Sequence, residues 1–137
     1  MPSKTAMKFI SYIFLFSIFN TVYAAGGSSK SATSKYFSIS PPVVVNVTDK
    51  GRVRHLQVSV QLRLEDPNDA NAIQEHKPAL QHELVMLLSG REAAEVRSTQ
   101  GKEALRSEAT SIIQKFLTEN IGKPTITAVY FTAFVIQ

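Results

Sequence analysis

The chain has 137 residues, an apolar content of 44% and no cysteine. This length and composition fit one globular domain and exclude disulfides, thiolate nucleophiles and cysteine metal sites. The formal charge of +4 falls to +2 once Lys4 and Lys8 of a predicted signal peptide are left out, and so small a charge does not indicate a nucleic-acid partner.

Residues 1–24 have the three parts of a secretory signal peptide. Two lysines precede an apolar run from Phe9 to Phe19, and small residues follow at Ala24 and Ala25. The run is shorter than the roughly 20 apolar residues that a membrane-spanning helix needs. We therefore expect cleavage between Ala24 and Ala25, with an uncleaved membrane anchor as the alternative. Both interpretations export everything that follows.

Residues 25–35 are small and polar, a composition that predicts a flexible tether. Order is expected from Tyr36, where Pro41 and Pro42 favour an extended backbone and residues 43–47 are rich in valine. Because proline cannot donate to a sheet ladder, this first strand should start at its prolines or lie at a sheet edge.

A second strand is predicted over residues 53–65, because apolar and polar residues alternate there. One face carries Leu56, Val58, Val60, Leu62 and Leu64. Residues 49–52 should form the turn of an antiparallel hairpin, with Gly51 adopting a positive φ.

Helical signals follow from Asp66, which suits a cap before Pro67. An apolar stripe then runs to Leu88, and Pro78 inside it predicts a kink or a break into two helices. A short turn over residues 91–96 precedes a longer helix that starts near Ser98 and ends near Asn120.

The final segment, residues 126–137, is apolar at both odd and even positions. Strict alternation puts Tyr130 and Phe134 on one face, and Val129 and Phe131 on the other. Such a strand is typical of a sheet interior that is covered on both sides by structure or by a partner.

Candidate chemistry is sparse. His55 falls on the polar face of its strand, and His76 and His82 are six residues apart, which is not the spacing of two metal ligands on one helix face. The sequence has no nucleophile elbow, phosphate-binding glycine loop or zinc-protease motif. We accordingly name no catalytic, cofactor-binding or metal-binding residue, and expect no enzyme and no cofactor.

Five segments resemble one protein family in their amino-acid sequences and in their order along the chain. PPVVVNV, RHLQVSVQLRLEDP, HKPALQHELVMLLSG, RSTQGKEALRSEA and VYFTAFVIQ together resemble FliL, a family of flagellar basal-body proteins, over nearly all of residues 36–137. The first 24 residues depart from the family, whose members usually have a cytoplasmic start and a longer membrane-spanning helix.

The predicted elements give an α+β fold, an antiparallel-rich sheet packed by two to three helices. The resemblance implies that this fold is stomatin-like and lies on the outer side of the bacterial inner membrane. It further implies assembly beside the flagellar stator units, support of torque, swimming or swarming, and no reaction. A homo-oligomeric ring is a hypothesis from the same resemblance. The alternative is an interaction module of another envelope complex in the periplasm.

Overall fold

The computed structural model describes residues 34–137. The predicted signal peptide, the Ala24–Ala25 cleavage position and most of the tether lie outside the described residues. Three strands and three helices follow in chain order: β1 (Tyr36–Asp49), β2 (Arg52–Leu64), α1 (Ala70–Leu88), α2 (Ala93–Arg97), α3 (Thr99–Ile121) and β3 (Ile126–Ile136). The predicted α+β fold class is confirmed.

The three strands form one antiparallel sheet in the order β1-β2-β3. β1 and β2 are joined by a tight turn at Lys50 and Gly51, where φ is 51° and 77°. Two positive φ values match the twist of a two-residue hairpin, which glycine adopts without steric cost. The predicted hairpin is confirmed, and β2 is the central strand.

Helices cover one face of this sheet. The five apolar residues predicted on one face of β2 are all buried there, and the two long helices complete the core from above. α1 packs on β1 and α3 packs on β3. The three helices contribute the buried residues Ile73, Leu80, Leu84, Leu87, Leu88, Ala93, Val96, Leu105, Ala109, Ile113 and Leu117. The alternation of β2 therefore reports a sheet with one dry and one solvated face, as predicted.

β1 lies at a sheet edge, as its prolines predicted. Ile39 pairs with Val60 and Val43 with Val58, so residues 40–42 bulge out opposite the single residue Ser59. Further along, the outer edge of β1 is covered by residues 90–92, through hydrogen bonds of 2.9 Å from Gly90 N to Asn46 O and from Thr48 N to Arg91 O. The bulge and this cover interrupt the edge at two places, which hinders the addition of another strand.

β3 is an edge strand, so the prediction that it lies inside the sheet was wrong. Its register against β2 slips twice, leaving Thr127 and Thr132 as extra residues in two β-bulges. Each bulge shifts the alternation by one residue. The side chains on the helix face are Ile126, Val129, Phe131, Phe134 and Ile136, opposite the buried residues of β2.

α1 is one continuous helix through Pro78, so the predicted break is absent from residues 70–88. Pro78 and Gln74, whose carbonyl loses its helical donor, are both exposed. Water can satisfy a carbonyl at the surface, which explains why the proline is tolerated there.

α1 begins after a capped 3-10 turn. Asp66 Oδ1 accepts hydrogen bonds of 2.9 Å from Asn68 N and from Asn68 Nδ2, and Pro67 occupies the first position of the turn. Asp66→Ala should lower the free energy of unfolding by about 1 kcal/mol, because one backbone donor loses its acceptor. Urea denaturation would measure this loss, and Asp66→Asn, which keeps the acceptor, should recover most of it.

α3 begins and ends where the sequence predicted. Ser98 Oγ accepts a hydrogen bond of 2.9 Å from Gly101 N, and Gly122 ends the helix at φ 89°. The short helix α2 meets this start at Ser98, whose hydroxyl also donates to Glu95 O at 2.9 Å. Ser98 thereby joins α2 and α3 in one compact corner.

Candidate interaction surfaces

Within residues 34–137, no group of three metal-ligating side chains converges. His55 is exposed on the face of β2 that points away from the helices, opposite Asn46. His76 lies half-buried against Phe116, with ring centroids 6.0 Å apart in an edge-on arrangement, and His82 is exposed. These positions place the histidines in three separate surroundings.

The charged side chains form ion pairs that tie elements together. Arg91 contacts Glu95 and Glu108, each at 3.0 Å, and its Nε donates to Leu87 O at 3.0 Å. Lys123, beyond the end of α3, lies 2.8 Å from Asp69 at the start of α1. The hydrogen bond from Lys123 to Asp69 raises the pKa of that lysine. These contacts connect neighbouring helices, and their distances are those of ion pairs with a structural role.

The hairpin end is held to α2 by a paired contact. Arg97 donates two hydrogen bonds to the carboxylate of Asp49, at 3.1 and 3.3 Å. The hydrogen bond from Arg97 holds the pKa of Asp49 below its usual value of 3.8, and the charges of Arg97, Arg54 and Lys50 act in the same direction.

This shift predicts a pH-dependent contribution to stability. A carboxyl whose pKa is lower in the folded state stabilises the fold above its unfolded pKa, and the stabilisation disappears as the pH falls through the folded pKa. The difference in melting temperature between the wild type and Arg97→Gln should therefore be constant above the usual pKa of 3.8 and shrink below it. Thermal scans at a series of acidic pH values would measure the difference. A constant difference down to the acid limit would contradict this assignment.

The sheet face opposite the helices is open to solvent in residues 34–137, and its side chains form rows across the three strands. One row joins Val44, Gln57 and Val135, of which the two valines are 58% and 43% exposed. These solvent-facing residues of β1, β2 and β3 together are called the open face. Its central strand carries mainly polar side chains, and the exposed valines Val44 and Val135 lie on the two outer strands.

A second row gives the open face a polar and aromatic end. It joins Ser38, Gln61 and Tyr130, and Gln61 donates to Ser38 Oγ at 3.2 Å. The ring of Tyr36 lies 6.3 Å from that of Tyr130. Half-exposed tyrosines combine apolar area with a hydrogen-bonding group, a combination that is frequent in protein interfaces.

The outer edge of β3 differs between its two halves. In the first half, α3 covers the strand's backbone: Thr110 Oγ1 accepts from Val129 N at 3.1 Å, and Gln114 Nε2 donates to Ile126 O at 3.0 Å. In the second half, His55 and Gln137 exchange both backbone hydrogen bonds, at 2.9 and 3.0 Å.

Antiparallel strands alternate between hydrogen-bonded and non-bonded pairs. Counting back from the bonded pair of His55 and Gln137, the register puts Ile136 and Phe134 in non-bonded pairs. Their N–H and C=O groups therefore point away from β2, along the outer edge of β3.

Beside this second half runs a groove of about 430 Å³ between β3 and the first turns of α3. We call it the β3 groove. Phe131 and Phe134 lie on its strand side, with ring centroids 5.4 Å apart, and Lys102 Nζ lies 5.6 Å from the centre of the Phe134 ring. Arg106, also lining the groove, is paired with Glu103, and this contact lowers the pKa of Glu103. The groove thus combines an aromatic wall with a lysine that has no ion-pair partner among the described residues.

The sequence did not identify either surface residue by residue. The polar side of β2 predicts a solvated face, but strict alternation over residues 126–137 does not predict the β3 groove, because two bulges orient Phe131 and Phe134. The available signal was the pair of threonines within an apolar strand: Thr127 and Thr132 sit at the bulges, and their hydroxyls lie 3.4 Å from carbonyl oxygens of β2.

The chain is similar to one protein family and to several of its members. The family model described as flagellar basal body-associated protein FliL matches residues 36–137. The flagellar protein FliL of Aquifex aeolicus is 27% identical over 74% of this chain and 60% of its own length. That of Escherichia coli K12 is 30% identical over 68% of this chain and 59% of its own length.

The matches thus span about 60% of these relatives' length. Among residues 34–137, no helix has the length and apolar content needed to span a membrane. FliL is a family of flagellar accessory proteins and not of enzymes. With its match running from β1 to the end of β3, the chain belongs to the FliL family of flagellar basal body-associated proteins.

Proposed function

We propose that this chain is a non-enzymatic accessory protein of the flagellar motor, which docks at the basal body and its stator units and supports torque, swimming or swarming. The observation that carries the proposal is the family match over residues 36–137, which includes every strand and helix of the described fold. The open face and the β3 groove supply surface for docking.

The proposed location is the periplasm, at the inner membrane and the flagellar base. The residues before Tyr36 support it, because they have the pattern of a signal peptide followed by a polar tether. Mass spectrometry of the N-terminus should find Ala25 first. An intact Met1 would instead identify a retained anchor.

We also propose that copies of the domain associate, forming a ring by analogy with the family. The open face favours this, since exposed valines lie on both of its outer strands. Light scattering over a wide range of concentration, with the chain on membranes as well as in solution, tests for assembly. Gln61→Lys should leave folding intact because Gln61 lies on the open face. If the folded Gln61→Lys variant no longer assembles, the interface includes the open face.

The motor role is tested by deleting the gene and measuring swimming speed in media of increasing viscosity. Speed should fall most at high load, where torque limits rotation, and the wild-type gene supplied in trans should restore it. Unchanged motility at every load would contradict the motor role. Such a result would favour the second interpretation, an interaction module of another envelope complex.

A further inference from the structure

We propose that the β3 groove binds an extended segment of another protein, which adds as a fourth strand to the outer edge of β3 over residues 134–136 and places a carboxylate beside Lys102. This inference goes beyond the motor role, because it specifies how a partner is held and does not depend on which complex the domain serves.

The first argument is the free backbone edge. Phe134 and Ile136 direct their N–H and C=O groups outward, and no backbone partner for them exists in residues 34–137. An exposed edge with unpaired groups is a template for another strand. Elsewhere the fold covers parts of its edges: α3 side chains bond to β3 at Ile126 and Val129, and residues 90–92 bond to β1 at Asn46 and Thr48.

The second argument is the side-chain chemistry beside that edge. A residue that exchanges hydrogen bonds with Phe134 or Ile136 lies directly opposite it and directs its side chain to the same face of the sheet, which is the helix face. There it meets Phe131 and Phe134, which favour an apolar side chain, and Lys102 on α3. The free ammonium group of Lys102 favours an acidic residue at a neighbouring inward position.

A second copy of the chain fits this edge poorly. The outer edge of β1 supplies a strand poorly, because residues 40–42 bulge there with two prolines and residues 90–92 bond to it at Asn46 and Thr48. Two β3 strands related by a two-fold axis would put both helix layers on the same side of the joined sheet. Each Lys102, beside its own Phe134, would then face a like charge. Charge complementarity therefore selects an acidic segment of a different protein.

The probe is a blocked synthetic heptapeptide, TVTVTET, whose valines and glutamate face one side of a strand and whose threonines face the other. It is titrated into the ¹⁵N-labelled chain, purified in the form that the cell exports, and followed by amide chemical shifts. We expect saturable shifts centred on Phe134 and Ile136, with smaller shifts at the start of α3.

Two isomeric peptides test the backbone pairing. N-methylation of the two valines removes the donors that would bond to Phe134 and Ile136, and should weaken binding about tenfold. N-methylation of the two threonines that flank the second valine alters groups pointing away from β3, and should change the affinity less than about twofold. Equal losses from both peptides would overturn strand addition.

Substitutions of two lysines in α3 test the contact between Lys102 and the peptide's glutamate. Lys102→Glu should weaken binding about fivefold, through loss of the attraction and repulsion of the peptide's glutamate. Lys115→Glu is the matched control, because Lys115 is also an exposed lysine of α3 but lies outside the β3 groove, and it should bind like the wild type. Unchanged melting temperatures would show that both variants are folded.

Three outcomes would overturn the proposal. These are no shifts at saturating peptide, shifts centred on β1 or the open face, and shifts of Phe134 and Ile136 that grow with protein concentration before peptide is added. The last outcome would assign the edge to a second copy. Peptide binding and the load dependence of motility are separate readouts, so either proposal can fail while the other stands.

Discussion

Val60→Asp should leave the chain unfolded at neutral pH. Val60 lies on the central strand, 2% exposed, between Ile39 of β1 and Phe131 of β3. An uncompensated buried charge costs about 3–5 kcal/mol, and the lost burial of valine adds about 1.5–3 kcal/mol. Their sum reaches the lower part of the range of about 5–15 kcal/mol that stabilises whole domains.

Circular dichroism during heating tests this expectation. The Val60→Asp variant should show no cooperative unfolding transition. The matched control is Gln57→Asp, which puts the same charge on the same strand but on the open face, where Gln57 is exposed. It should melt within a few degrees of the wild type. A wild-type melting curve for Val60→Asp would show that the helix face of β2 is not the core.

Gly101→Ala should destabilise the domain, although alanine is the better helix former by about 1 kcal/mol. Gly101 lies in the first turn of α3, where a Cβ atom would overlap the carbonyl oxygen of Glu95 and lie 2.7 Å from Ser98 Oγ. The Glu95 carbonyl belongs to α2, so the corner between the two helices must open. Forced repacking of this kind costs about 1–3 kcal/mol, which outweighs the gain in propensity.

Urea denaturation measures the sign of the effect. Gln100→Ala is the control, because Gln100 is exposed in the same turn, and it should change the free energy of unfolding by less than about 0.5 kcal/mol. A Gly101→Ala variant more stable than the wild type would mean that α2 and α3 are not held together at Ser98 as described.

Elements governed by local chemistry were predictable from the sequence. The alternation of residues 56–64, the glycine at the hairpin turn, and the helix that starts near Ser98 and ends near Asn120 each reflect a constraint within a few residues, and the structure confirms them. Pro78 was the exception, since whether a proline breaks a helix depends on whether water or protein surrounds the freed carbonyl.

The position of β3 was not predictable in the same way. A segment that is apolar at both odd and even positions fits a buried strand. It also fits an edge strand in which the alternation of side chains shifts by one residue at each bulge. Only the pairing partner decides, and here β2 opposes Phe131 to Val60 and Phe134 to Val58. The β3 groove depends on this long-range register and on the placement of Lys102 by α3, so it was beyond the reach of the sequence patterns.

The fold explains how a small domain presents different surfaces without catalytic machinery. All three helices lie on one side of the sheet or at its edges, which buries the apolar face of β2 and leaves its polar face free. The same arrangement covers part of the edge of β1 and leaves the end of β3 free. A solvent-exposed sheet face and a free strand edge are features that protein partners use, through side-chain contact and backbone pairing respectively.

Immunogold electron microscopy, with antibodies raised against residues 34–137, tests the central claim that this domain acts at the flagellar base. Gold particles should concentrate where filaments enter the envelope in flagellated cells, and should be absent from cells that lack the gene. Particles spread evenly around the envelope, while an antibody to a basal-body ring labels the filament bases in the same cells, would contradict the account.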